Sequence, residues 1–209
     1  MKSDYKITRD KFMDVKERDK LIKFCKKMAE LDLMKGRITW PVRNMLVNLA
    51  LYSGLRVSEI AELEIKDLHL YNVEDPWLKA GNGKKKKSRD VYLDREFVKE
   101  LRKYVSYKKK TLKESVDPEA PLLNGRGGRH STTTALKISF KKAIVQAGLN
   151  PKYSIHSARH TYGIHLYHTT KNLRYVQKQL GHSNIMMTSL YADVLPGKNG
   201  KLANMILNK

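Results

Sequence analysis

His182 and Tyr191 stand nine positions apart in the stretch LGHSNIMMTSLYADV, residues 180–194. The histidine follows Gly181, a helix-ending residue, so the chain passes from one helix to the next between them. A second pair lies in HSARH, residues 156–160, where His156 and Arg159 are three apart and share a helix face. A planar guanidinium beside an imidazole suits a phosphate: Arg donates two parallel hydrogen bonds, and His exchanges a proton near neutrality. Arg56, in SGLRVSEI, follows Gly54 in a sharp corner between two helices, with Glu59 one turn on to orient it. That corner aims Arg56 into a site; an ordinary surface ion pair with Glu59 is the alternative. His160, His165 and His168 lie on or near one helix, but without Cys or Glu companions their spacing argues for packing or surface roles over zinc.

These residues need elements to hold them, and the periodicity is mostly helical. In VKERDKLIKFCKKMAELDLMKG, Leu21, Phe24, Cys25, Met28 and Leu31 recur at three and four residues, and Gly36 offers a stop. Pro41 opens a second helix, with Val42, Met45, Leu46, Leu49 and Ala50 on one face up to Gly54, and RVSEIAEL restarts a third. The period then changes. Trp77–Lys79 and Arg89–Leu93 have strand character and flank Gly81-Asn82-Gly83, which predicts a hairpin with a basic tip, Lys84–Lys87. Asp94 caps a further helix. Three more run from Ser131 to Ala147, from near Ser157, and from Asn172 to Gly181, and a short helix after Ser183 carries Tyr191. The predicted fold class is α+β: mainly α with one small antiparallel β-sheet, in a single domain over 1–194. Residues 1–13 are read as a loose N-terminal segment and 195–209 as a C-terminal tail.

Composition narrows the partners. Lys and Arg number 42 against 21 Asp and Glu, a net charge of +21 with a pI near 9.9. Such a surplus attracts polyanions, nucleic acid first, and opposes self-association. One cysteine, Cys25, forms no internal disulfide and suits a reducing cytoplasm. No run approaches the ~18 apolar residues of a membrane span, and the start MKSDYKITRD has no apolar signal region. The expected place is the cytoplasm of a prokaryotic cell.

LYSGLRVSEIAELEIKDL, GKKKKSRDVYL, IHSARHTYGIHLY and LRYVQKQLGHSNIMMTSLYADV together resemble the catalytic domain of the tyrosine recombinases, the Xer and phage-integrase superfamily. Order and spacing agree over roughly residues 40–194. The resemblance implies roles. Arg56 and Arg159 clamp the non-bridging oxygens of a scissile phosphate as charge develops. Tyr191 is the nucleophile, giving a 3′-phosphotyrosyl enzyme and a free 5′-hydroxyl. His156 assists proton transfer, and His182 donates a hydrogen bond to the phosphate. A hairpin lysine protonates the leaving 5′-oxygen as general acid; alignment on Arg89 selects Lys84, with Lys85, Lys86 and Lys87 beside it. Lys85, Lys86, Lys87 and Arg89 are assigned to DNA binding, Glu59 and His160 to support of the site. A phenol of pKa about 10 needs that positive field to ionise, and the chemistry requires no metal, cofactor or ATP. Ala158 and Tyr92 depart from the family pattern, where a larger apolar residue and Pro are common.

The resemblance further implies double-stranded DNA as partner and a homotetramer on synapsed DNA, with a monomer expected when free. The tail KLANMILNK spaces Leu202, Met205 and Ile206 as a helix would; docking in trans, which the resemblance suggests, and a frayed terminus are the two alternatives. The family's N-terminal core-binding domain is expected to be absent. DNA affinity then rests on phosphate contacts by clusters such as Lys84–Lys87 and Lys108–Lys110. Two alternatives share the fold: a type IB topoisomerase-like nicking-closing enzyme, and a catalytically inactive DNA-binding relative.

Overall fold

The computed structural model describes residues 7–71, 73–81 and 88–192. It is mainly helical with one three-stranded antiparallel sheet. Helix α1 (Val15–Met34) opens on a capping box in which Asp14 accepts from the Glu17 amide and the Glu17 carboxylate accepts from Asp14 N–H. It buries Leu21, Cys25 and Ala29 against α2 (Thr39–Tyr52). That second helix starts two residues before Pro41. The buried Asp32 carboxylate, from the end of α1, accepts from the Trp40 amide at 2.9 Å and so satisfies an otherwise orphan N–H.

Between α2 and α3 (Val57–Glu62) the chain turns at Gly54, φ +61°. A Cβ there would stand 2.3 Å from Cδ1 of Tyr162, so the turn needs glycine for its backbone and for the close approach of the later helix that carries Tyr162. Strands β1 (Leu68–His69), β2 (Trp77–Ala80) and β3 (Arg89–Tyr92) follow in the spatial order β1-β2-β3. The β2–β3 hairpin agrees with the sequence, with Trp77 opposite Tyr92 and Ala80 opposite Arg89. β1 is too short to leave a period of its own.

Helix α4 (Arg95–Lys110) is capped by Asp94, which accepts from the amides of Glu96 and Phe97. Helix α5 (Thr133–Gln146) is capped by Thr132. Helix α6 (Ile155–Thr170) begins earlier than the sequence reading, capped by Ser154, with Ser157 as its reciprocal partner. Helix α7 (Leu173–Leu180) runs from an Asn172 cap to Gly181, in line with the sequence. Helix α8 (Met186–Ser189) is a single turn that ends two residues short of Tyr191.

The core joins α1, α2, α4, α5 and the inward face of the sheet through residues such as Leu46, Leu49, Leu78, Val91, Leu101 and Phe140. A smaller cluster holds Phe12, Ile164, Val176, Leu180 and Tyr191. Its membership differs from the loose segment expected over 1–13 as far as residues 7–13 go; residues 1–6 lie outside the described residues. Phe12 and Met13 are buried, the Met13 amide donates to Thr161 Oγ1 at 2.8 Å, and Arg9 pairs with Asp14 and Glu17. The hairpin tip at 82–87 and the tail from 193 lie outside the described residues.

Candidate active site

The C-terminus of α7 and one carboxylate gather three arginines. A helix end leaves its last carbonyls without intrahelical partners and carries the negative end of the helix dipole. Here three successive carbonyls each receive a guanidinium: Gln179 O from Arg89 Nε at 2.9 Å, Leu180 O from Arg159 Nη2 at 2.6 Å, and Gly181 O from Arg56 Nη2 at 3.3 Å. Arg159 Nη1 also donates to Gly54 O at 2.6 Å, which ties α6 to the α2–α3 corner. Glu59, 5% exposed, faces all three: Arg89 pairs with both its oxygens at 2.7 and 3.0 Å, Arg56 reaches it at 3.0 Å and Arg159 at 3.9 Å. Burial pushes the Glu59 carboxyl up, but hydrogen bonds and charge from Arg89, the Arg56 amide and Arg159 outweigh it and hold the group down at about 2.

Arg89 therefore differs from its expected DNA-binding role. Its parity on β3 turns it inward with Val91, and its bidentate pair with Glu59 makes it an internal strut. Sequence reasoning placed it next to the lysine run and could not see a partner 30 residues away. Lys108 is likewise corrected as a phosphate contact. Its side chain is 0% exposed and its ammonium is bound to Glu114 at 2.7 Å and Asn124 at 2.6 Å.

Arg56 remains half open, its side chain 44% exposed, and lines a cleft of about 320 Å³ with His156, Arg159, Ser154 and Lys137. Lys137, on α5, is the member the sequence reading missed, since α5 carries no motif. Burial and the nearby Arg159 and Arg56 charges push His156 below its ordinary value and favour its neutral form. Burial, with Arg159, Arg56 and Arg89, lowers His182 to about 4. His182 Nδ1 meets Thr188 Oγ1 at 3.0 Å, and its carbonyl accepts from Gln177 Nε2 at 2.9 Å. Burial lowers Arg159 to about 10 with help from Arg56, against the pull of Glu59 and Tyr191; it stays cationic at neutral pH.

Tyr191 is beside these groups but turned inward. It follows α8 in a turn, its amide donating to Thr188 O at 3.0 Å, and its ring is 2% exposed. Its hydroxyl meets His160 Nδ1 at 3.2 Å, and its ring stacks on His182 at a centroid distance of 6.1 Å. The expected helix after Ser183 therefore ends before the tyrosine, and the side chain packs in the smaller core cluster instead of entering the Arg56–His156 cleft. Lys84, Lys85, Lys86 and Lys87 lie outside the described residues. The structure thus brings together Arg56, Glu59, His156, Arg159, His160, His182 and Tyr191.

The phage integrase family model matches residues 11–197. A tyrosine recombinase from Pseudothermotoga lettingae is 30% identical over 165 residues, 79% of this chain and 54% of the relative. Tyrosine recombinase XerC from Halalkalibacterium halodurans is 33% identical over 169 residues, 78% of this chain and 54% of the relative. The chain thus spans about half the length of the curated relatives it matches. In fold it is similar to the XerA recombinase, with TM-score 0.72 and 23% identity, over 93% of this chain and 63% of that one. It is similar too to XerH in a post-cleavage complex with difH substrate, with TM-score 0.73 and 22% identity, over 95% of this chain and 53% of that one. With the motif order, the helix-and-hairpin fold and the match along most of its length, this chain belongs to the phage integrase family of tyrosine recombinases and has that family's catalytic-domain fold.

Proposed function

We propose that this chain is the catalytic part of a site-specific DNA recombinase or integrase that cleaves and rejoins strands through a 3′-phosphotyrosyl intermediate at Tyr191. The observation that carries the reading is the convergence of Arg56, His156, Arg159 and His182 beside Tyr191. A phosphodiester is already anionic, and its five-coordinate transition state carries still more charge. Preorganised guanidinium groups stabilise that state because the protein has oriented them in advance. The backbone carbonyls and Glu59 fix Arg159 and Arg56 while hydrogens on both remain for a phosphate.

In the proposed reaction Tyr191 Oη loses its proton and attacks phosphorus, forming the tyrosyl ester at the 3′ side. The bond to the 5′-oxygen breaks, and that oxygen takes a proton from the hairpin lysine, Lys84. His156, held neutral, is fit to accept the phenolic proton. The ester retains the energy of the broken bond, so attack by a new 5′-hydroxyl rejoins the strand without ATP. Solved relatives of this fold include XerH with difH substrate and the Tn1549 transposon integrase with transposon right end DNA, and double-stranded DNA is the substrate proposed here. Four protomers on two synapsed sites, and a monomer when free, complete the proposal.

Incubation with supercoiled plasmid, followed by denaturation, tests it. DNA covalently joined to protein is expected, and no adduct with Tyr191→Phe. Adduct formation by the phenylalanine variant would refute the assignment of the nucleophile.

A further inference from the structure

Between α1, α2 and the start of α4 lies a cleft of about 180 Å³ that the phosphate chemistry does not use. Asn44 and Asn48, one turn apart on α2, both line it. Their Oδ1 atoms are buried and have no hydrogen-bond partner among the described residues, and Asn48 as a whole is 6% exposed. A buried acceptor left without a donor is costly and calls for one. Carboxylates surround the pair, since Asp94, Glu96 and Glu100 line the same cleft against one basic residue, Lys26. Glu96 and Glu100 are paired with Lys99 and Lys103 on their own helix, exposed pairs that exchange readily.

Tyr52 and Asp94 also line a second chamber, of about 530 Å³, so the two cavities adjoin. The walls of this one are aromatic. Tyr92 from β3, Tyr162 from α6 and Tyr175 from α7 join Tyr52, with the exposed Asp75 among them. Stacking on Phe97 at 5.3 Å fixes Tyr52, and a hydrogen bond from Gln179 Nε2 at 3.0 Å fixes the Tyr175 hydroxyl. Among the described residues no Lys or Arg lines the chamber. On a chain of net charge +21, a concavity of carboxylates and tyrosine rings is complementary to a cation.

We infer that the adjoining cavities form a binding site for a linear aliphatic polyamine. Rotation of the terminal amides presents the Asn44 and Asn48 oxygens to one ammonium end, beside Glu100. The methylene chain crosses Tyr52, and a second ammonium lies among the tyrosines near Asp75. Such a ligand needs acceptors and negative charge at separated points with apolar surface between them, which is what the two cavities offer. A metal ion fits less well, because no three His, Cys, Asp or Glu side chains gather as ligands among the described residues. DNA is repelled by the same carboxylates.

Calorimetric titration of the full chain with spermidine, in the absence of DNA, tests the site. Saturable one-to-one binding is expected. Hexaamminecobalt(III), a compact cation of the same charge, should not displace the polyamine, which separates fit from bulk charge. Asn48→Leu removes the orphaned acceptor and keeps the volume. It should weaken binding about tenfold, the worth of one charge-assisted hydrogen bond, without loss of stability in urea. Asp75→Asn, on the surface, should weaken binding about threefold. Absence of saturable binding, displacement by an equal concentration of hexaamminecobalt(III), or wild-type affinity in both variants would overturn the site. A lysine-rich peptide that binds more tightly than spermidine would overturn it too, by making the ligand a protein segment. The titration needs neither Tyr191 nor DNA, so its result stands apart from the recombinase reading.

Discussion

Three guanidinium groups converge on one carboxylate and one helix end, so Glu59 governs more than its own neighbour. Glu59→Ala would leave the buried Arg89 and Arg159 without their counter-charge. Breaking a buried pair from one side costs about 3 kcal/mol or more, and that loss of unfolding free energy is expected in denaturant melts, with any adduct formation lost as Arg56 and Arg159 drift. Protonation adds a second prediction. His160 and His182 are held at about 3 and about 4, below the 6.5 of an ordinary histidine. The unfolded chain therefore binds more protons than the folded one between those values, and stability falls as pH drops below about 6.5. Carboxylates are still largely ionised in both states at pH 5, so the loss between pH 6.5 and 5 belongs to histidines. Urea melts at pH 7 and 5 should show it, and His182→Asn should flatten it; equal stability at the two pH values would contradict the burial of these rings. The four motifs that resemble the tyrosine recombinases single out Arg56, His156, Arg159, His182 and Tyr191; spacing by itself only pairs His156 with Arg159 and sets Tyr191 nine residues after His182. It could not show Arg89 on Glu59 or Tyr191 on His160, pairings 30 and 31 residues apart that leave no periodic trace.

At the scale of elements, the site depends on how α6 and α7 meet the corner after α2. Gly54 permits that meeting: its carbonyl accepts from Arg159, and its φ of +61° and the nearby Tyr162 ring leave no room for a side chain. Gly54→Ala is expected to cost about 3 kcal/mol from backbone strain and overpacking and to displace Arg159. Unchanged stability in a denaturant titration would show that the corner relaxes freely. Helices with clear caps were legible: Asn172 and Gly181 bound α7 as read from sequence. Where a cap comes from another element, as Asp32 serves α2, the sequence boundary slipped by two residues. The buried Lys108 shows the same limit, since a lysine run reads as solvated surface until the loop bearing Glu114 and Asn124 folds over it.

For the whole molecule, a charge of +21 on 209 residues predicts binding to DNA dominated by phosphate contacts. Each phosphate neutralised on duplex DNA contributes about −0.9 to the slope of log affinity against log salt. A slope of roughly −4 or steeper is expected from titrations between 50 and 200 mM salt. A nearly flat dependence would show that the basic surface is not the binding surface. Composition pointed to a polyanion, the class to which the proposed partner belongs, while the inward position of Tyr191 needed the assembled fold. In the proposed reaction one phenol, that of Tyr191, joins to DNA. The direct measurement is to trap the denatured protein–DNA adduct, digest it with nuclease and protease, and locate the residual nucleotide by mass spectrometry. A nucleotide on the peptide containing Tyr191, with the DNA end opposite carrying a free 5′-hydroxyl, is the result expected here. A nucleotide on any other residue, or a free 3′-hydroxyl at the break, would contradict it.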